Sequence, residues 1–187
     1  MNIYIEELKE TLKLFNWKLI GSMFVIISII DQFTKQYYFK TLLPYDHTPV
    51  LGDFLRLTIH ENPGIAFGIR IFENQALFVL FTIAVMIFIF IYLISFKNNT
   101  MVMQIVIGCI MGGAFGNLID RALFGKVIDF IDIDFFDIPS FELFGYYFRG
   151  MDRWPIFNVA DMAVSVGFVL ITYVFFIQPR FQNKKSS

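Results

Sequence analysis

Residues 76–96 read ALFVLFTIAVMIFIFIYLISF, an apolar run broken only by Thr82, Tyr92 and Ser95. A helix of about 20 apolar residues crosses a hydrocarbon core roughly 30 Å thick. This stretch is therefore read as a transmembrane span, and the rest of the chain follows from it. After a short turn, Met101 to Leu118 is as apolar apart from Gln104 and Asn117. Upstream, Leu19 to Ile30 is clean, and that span continues through Asp31 to about Phe39. Downstream, Phe157 to Ile177 is apolar but contains Asp161. Four spans result, at about 18–39, 75–96, 101–122 and 157–178, within a single membrane-embedded domain covering 1–187.

Composition agrees. Of 187 residues, 57% are hydrophobic and only 17% charged, whereas about a quarter of a soluble domain is charged. The net charge of −1 offers nothing to a nucleic-acid backbone. A single cysteine, Cys109, excludes an intrachain disulfide and any Cys-rich metal site. His47 and His60 are too few for a histidine zinc site. The first span lacks an A-x-A-like cleavage site and runs into Asp31 and Lys35, so it reads as a retained helix rather than a signal peptide.

An even number of spans puts both termini on one side. Lys9, Lys13, Lys18, Lys97, Arg180, Lys184 and Lys185 flank that side at about twice the basic density of the two longer connections. The positive-inside rule then places both termini in the cytoplasm. With that orientation the polar residues of the spans converge at the outer surface. Asp31, Gln32, Thr34 and Lys35 lie in the outer half of the first span. Asn117, Asp120 and Arg121 end the third, with Asp129 just beyond, and Asn158 and Asp161 begin the fourth. Gly108, Gly112 and Gly116 form a small-residue stripe that lets another helix approach closely. Between the first two spans, residues 49–71 are β-like: LRLTI alternates and HENPGIAFGI turns at Pro63 and Gly64. Residues 132–155 are acidic, aromatic and poorly periodic, which predicts an external loop with one short helix.

Ionisable residues inside a span are costly and usually face the protein interior with a partner. Two close carboxylates cannot easily both ionise, so one holds its proton to higher pH. Such a pair supplies a base to activate water and an acid for the leaving amine, with no Ser or Cys nucleophile. Asp129 and Asp161 both lie beside helix ends at the shared depth and form a candidate pair, with Asp132 close enough to Asp129 that spacing alone does not choose between them. Plainer roles compete on spacing alone. An Asp near a helix end is commonly a cap or an ion-pair partner, as Asp120 beside Arg121 suggests. Asp31 and Lys35, four apart, can simply pair with each other. Asp129, Asp132 and Asp134 could bind a divalent cation through oxygen ligands.

Five blocks narrow the choice: DQFTK at 31–35, NPGIAFG at 62–68, GGAFGNLIDR at 112–121, VIDF at 127–130 and FNVAD at 157–161. In this order they resemble lipoprotein signal peptidase (signal peptidase II), the bacterial membrane aspartic peptidase family. The resemblance implies four transmembrane helices with a small extracytoplasmic β-cradle. It implies Asp129 and Asp161 as the catalytic dyad, with no metal or organic cofactor. Asn62, Gly64, Asn117, Arg121, Asn158 and Ala160 would shape the site, and Asp31 and Lys35 would support it. The implied substrate is a prolipoprotein whose lipobox cysteine carries diacylglycerol, cleaved just before that cysteine. The enzyme is expected to be a monomer in membrane lipid, in the bacterial cytoplasmic (inner) membrane, with its site near the outer leaflet. Two departures stand out. Ile65 takes the first alanine position of the family's N-x-G-A-A block, and the gap between Asp129 and Asp161 is long, its insertion lying within DFFDIPSFELFGYYFRGMDRW. Two rivals remain: a proton-coupled transporter, which would spread charges through the membrane's depth, and a noncatalytic assembly subunit joined through the glycine stripe.

Overall fold

The computed structural model describes residues 2–43, 46–64, 74–97, 99–135, 137–143, 145–148 and 150–177. Ile65, the remainder of the β-like segment as far as 71, Arg149 and the basic tail lie outside the described residues. The run that opened the sequence is helix α3 (Gln75–Ser95), started by Asn74, whose side chain accepts from the Ala76 and Leu77 amides. A 12-residue helix α1 (Asn2–Lys13) precedes α2 (Trp17–Thr41). The central helix α4 (Met101–Phe124) starts at the Thr100 cap and stops at Gly125, whose φ of 72° is the left-handed conformation glycine adopts without strain. The last helix, α5 (Val159–Thr172), continues as a π turn over Tyr173–Ile177. Four helices are long and apolar enough to cross a membrane: α2, α3, α4 and α5 with its extension.

Helix α4 is the axis of the bundle. In its apolar window 56% of residues are buried, against 22% or less in the other three. Their outward faces expose Phe33, Phe88 and Phe168, which suits lipid rather than water. The glycine stripe acts in packing. A Cβ at Gly108, Gly112 or Gly116 would press into Met23, Phe24 and Asp31 of α2, and one at Gly113 would overlap the Ala160 carbonyl of α5. Met103, Val106, Ile107, Ile20, Leu93 and Ile94 form the apolar core at the other end of the bundle from the polar groups.

Strands β1 (Thr48–Leu51), β2 (Leu55–Asn62) and β3 (Val127–Ile133) form an antiparallel sheet in the order β1-β2-β3. The β2–β3 register pairs Leu57 with Ile131 but His60 with Asp129, so a bulge lies between them. On its other side β3 bonds to Phe157, whose carbonyl accepts from the Phe130 and Ile131 amides and whose amide donates to Ile131. Ile59, Ile128 and Phe130 seat the sheet against Tyr38 and Leu42 of the α2 end and Val159 of α5.

Two features differ from the sequence reading. Helix α1 was not anticipated, because its short, charged sequence has no apolar run long enough to mark a span. The loop after β3 carries a hairpin, β4 (Phe141–Leu143) with β5 (Tyr146–Phe148), and no helix among the described residues. Its Phe and Tyr residues favour strand, and Gly145 at φ 79° supplies the turn.

Candidate active site

Asp129 is carried by β3 and Asp161 by the first turn of α5, elements far apart in sequence that the Phe157 bridge brings together. That bridge places Asn158, the cap of α5, beside β3. The Asn158 amide group donates to Asp129 Oδ1 at 2.6 Å and to Asn117 Oδ1 at 3.1 Å. Asn62, at the end of β2, donates to Asp129 Oδ2 at 3.1 Å. Asp129 is 2% exposed and its carboxylate meets two neutral amides. Burial, reinforced by the nearby Asp161 charge, pushes its carboxyl up to about 7, against the pull of the Asn62 and Asn158 bonds and the Lys35 charge.

Asp161 is both a cap and a cavity residue. Its Oδ2 accepts from the Asn158 backbone amide at 3.2 Å while Asn158 Oδ1 accepts from the Asp161 amide at 3.0 Å, a reciprocal capping box. Its Oδ1 accepts instead from Asn117 Nδ2 at 2.8 Å. One oxygen thus fixes the helix start while the other joins the Asn117 network.

Behind the pair lies a buried ion cluster. Lys35 Nζ reaches Asp31 Oδ2 at 2.7 Å, Asp120 Oδ2 at 3.0 Å and Asn117 Oδ1 at 2.8 Å, which accounts for all three ammonium donors. Asp31 and Lys35 do pair, as their spacing allows, but Asp120 belongs to the same cluster and not to Arg121. Consecutive helical residues point about 100° apart, so Asp120 faces α2 while Arg121 faces the cavity. Arg121 donates to the Asn117 carbonyl at 3.3 Å and the Gly64 carbonyl at 3.0 Å, and lies 5.2 Å from the Phe78 ring centre. Its Nε is buried without a partner among the described residues. Gly64 N donates to Asn62 Oδ1, which sets the turn after β2. Ala160 is fully buried, and its amide donates to Asp31 Oδ1 at 2.9 Å.

Asp129, Asp161, Asn62, Asn117 and Arg121 line one cavity of about 900 Å³, which extends past Thr82 of α3, Ala114 of α4, and Val164 and Ser165 of α5. His60, the cross-strand partner of Asp129, also lines it. Asp132 lies on its wall too, but Arg153 Nε holds it at 2.7 Å and the same guanidinium holds Asp134 at 3.1 Å. The three aspartates considered for a cation are therefore divided, and no cluster suited to a metal forms among the described residues. Arg153 and the backbone of Phe157 were not anticipated as contributors, and Gln32 and Asp120, placed at the shared depth by the sequence, were given no role in the site. Gln32, Asp120 and Phe157 sat inside quoted blocks, whereas Arg153 carried no sequence signal.

A family model described as Signal peptidase (SPase) II matches residues 23–177. The chain belongs to this family. It is 38% identical over 144 residues to a lipoprotein signal peptidase of Chlorobium phaeobacteroides (strain BS1), covering 76% of this chain and 86% of that protein. It is 36% identical over 147 residues to the lipoprotein signal peptidase of Staphylococcus aureus (strain bovine RF122 / ET3-1), covering 79% and 81%. A bacterial membrane enzyme solved by the in meso method at 2.3 Å superposes with a TM-score of 0.69 at 32% identity, over 92% of this chain and 95% of that one. This family member is thus a membrane-embedded bacterial protease, which removes the transporter and assembly-subunit readings.

Proposed function

We propose that Asp129 and Asp161 are the catalytic pair of an aspartic endopeptidase acting on diacylglyceryl-modified prolipoproteins. The family removes signal peptides from lipoproteins, and the cut proposed here falls just before the lipidated lipobox cysteine. The observation that carries the reading is a carboxyl held up to about 7 beside a second carboxylate on the same cavity wall. At neutral pH such a pair shares a proton, so one member can take a proton from water while the other donates. Water adds to the scissile carbonyl, a carboxylate takes its proton, and the carboxylic acid supplies a proton to the carbonyl oxygen. Collapse then returns a proton to the leaving amine and releases the signal peptide. The titration belongs to the pair, not to one residue.

The surroundings suit an extended peptide. Its backbone groups find no partners in lipid, whereas the polar side chains of Asn62, Asn117 and Arg121 line the cavity beside both carboxylates. The cavity's extension along α4 between Thr82 and Val164 gives a signal helix an intramembrane path, and the acyl chains can remain in lipid. Both carboxylates come from one chain, which supports a monomer as the working unit. The density of basic residues supports cytoplasmic termini, and with them a sheet and site at the outer leaflet. Asp31, Lys35, Gly64, Asn158 and Ala160 support the site through the bonds described above.

Purified enzyme in detergent, given a diacylglyceryl-modified prolipoprotein, tests the assignment. Wild type and Asp132→Asn should cleave, whereas folded Asp129→Asn and Asp161→Asn should not. Cleavage by both dyad variants would refute it.

A further inference from the structure

The residue before each proposed catalytic aspartate donates its backbone amide to a buried carboxylate. Ile128 N donates to Asp120 Oδ2 at 3.1 Å, and Ala160 N donates to Asp31 Oδ1 at 2.9 Å. Both carboxylates ion-pair with the same Lys35 ammonium, at 3.0 Å and 2.7 Å. Gln32 Nε2 adds bonds to Asp120 Oδ1 at 2.8 Å and to the Gly116 carbonyl at 3.0 Å, which hold Asp120 and α2 together. Asp31, Lys35 and Asp120 are each at most 2% exposed. One lysine on α2 therefore connects the strand that bears Asp129 with the helix that bears Asp161.

We propose that Asp120 is a positioning residue which, through Lys35 and Asp31, sets the separation of Asp129 and Asp161. The inference rests on the dyad reading above. Its physical basis is that the Asp129 strand has no covalent link to α5 except the long inserted loop. The Phe157 bridge fixes the pair along the strand direction, whereas the ion cluster fixes β3 against the two helices. The Ile128 carbonyl is held from the same side by Asn158 Nδ2, at 3.3 Å. Removing Asp120 frees one end of that segment and leaves Asp129 its amide bonds. A misplacement of about 1 Å at reacting groups costs about 100-fold in rate, so the effect falls on turnover rather than on binding.

Asp120→Ala leaves Lys35 and Asp31 as a neutral buried pair, which favours a folded variant. Asp120→Leu repeats the measurement without opening a cavity. Asp120→Asn retains an oxygen able to accept from the Ile128 amide. With the prolipoprotein substrate, Asp120→Ala and Asp120→Leu should lower kcat about 30-fold or more with KM within about twofold, by the same positional sensitivity. Asp120→Asn should recover to within about fivefold of wild type. Hydrogen exchange at the Ile128 amide should quicken about tenfold or more in the Ala and Leu variants but not in Asn, as expected when one local bond is released. Near-wild-type kcat in the folded Ala variant, equal loss in Ala and Asn, or unchanged Ile128 exchange would each overturn the proposal. An inactive wild type would count against the peptidase reading, and the exchange result would still decide the role of Asp120.

Discussion

Two clusters in this molecule gather carboxylates around one cation, and they behave differently. In the inner one, Lys35 is sealed between Asp31 and Asp120, and both carboxylates also accept backbone amides. In the outer one, Arg153 joins Asp132, Asp134 and the Asp53 carbonyl with its side chain 22% exposed. The inner cluster holds the backbone of two elements, β3 and α5, beneath the proposed dyad. The outer cluster ties the inserted loop to the sheet. Neither contains the dyad itself, because Asp129 and Asp161 are the carboxylates that meet neutral amides instead of a cation. A cation beside a carboxylate favours its charged form, whereas Asp129, buried among amides and near Asp161, has its carboxyl pushed up to about 7.

The sharpest way to break this contrast is to neutralise one carboxylate of each kind. Asp129→Asn or Asp161→Asn should lower cleavage by about 10³-fold or more, since acid–base groups contribute 10²–10⁴-fold each. Asp132→Asn should stay within about tenfold of wild type. Comparable losses in all three would erase the distinction between amide-held and cation-held carboxylates. Next in size is Gly113→Ala, whose new methyl would overlap the Ala160 carbonyl and push the start of α5 from α4. It should cost about 1–3 kcal/mol and at least tenfold in kcat. Gly21→Ala, which meets nothing nearby, should leave thermal stability and kinetics unchanged. Arg153→Ala should lower Tm, because Asp132 would remain buried without its cation, yet keep kcat within about fivefold; a dyad-sized loss there would make the outer cluster part of the chemistry.

A pH series sharpens the comparison further. An Asp carboxyl near 4 in the unfolded chain and at about 7 in the folded one binds its proton more readily when folded. Its contribution to stability is present at low pH and is lost as pH rises through about 7. Tm should therefore fall between about pH 4 and 7 and level off above it, and Asp129→Asn should flatten that fall. A slope unchanged in Asp129→Asn would place the titration elsewhere. The smallest effect is expected at the surface pair of Lys126 and Glu61, about two-fifths exposed on each side. Lys126→Ala should change stability by less than about 1 kcal/mol, measured by thermal unfolding in detergent.

Much of the candidate site was legible because its residues stand in short blocks with strong local meaning. Asn62, Asn117, Arg121 and Asn158 were named from those blocks, and the structure brings them to one place around Asp129 and Asp161. The partner of Asp120 was not legible. Sequence adjacency suggested Arg121, but helical geometry turns the two in different directions, and the true partner comes from another helix. The hairpin in the insertion escaped for a related reason: a run this short, mixing Phe and Tyr with single charges, has no dominant period.

By itself, the sequence determined the four spans, the end of the bundle where polar groups collect, and the strand character of LRLTI. Those follow from local rules, since a bilayer demands long apolar helices with every backbone group satisfied. Only the tertiary structure decided that Phe157 bonds to Ile131, that Asp161 both caps α5 and faces Asn117, and that one lysine joins the carboxylates behind Asp129 and Asp161. These contacts link residues distant along the chain, and only packing fixes their geometry.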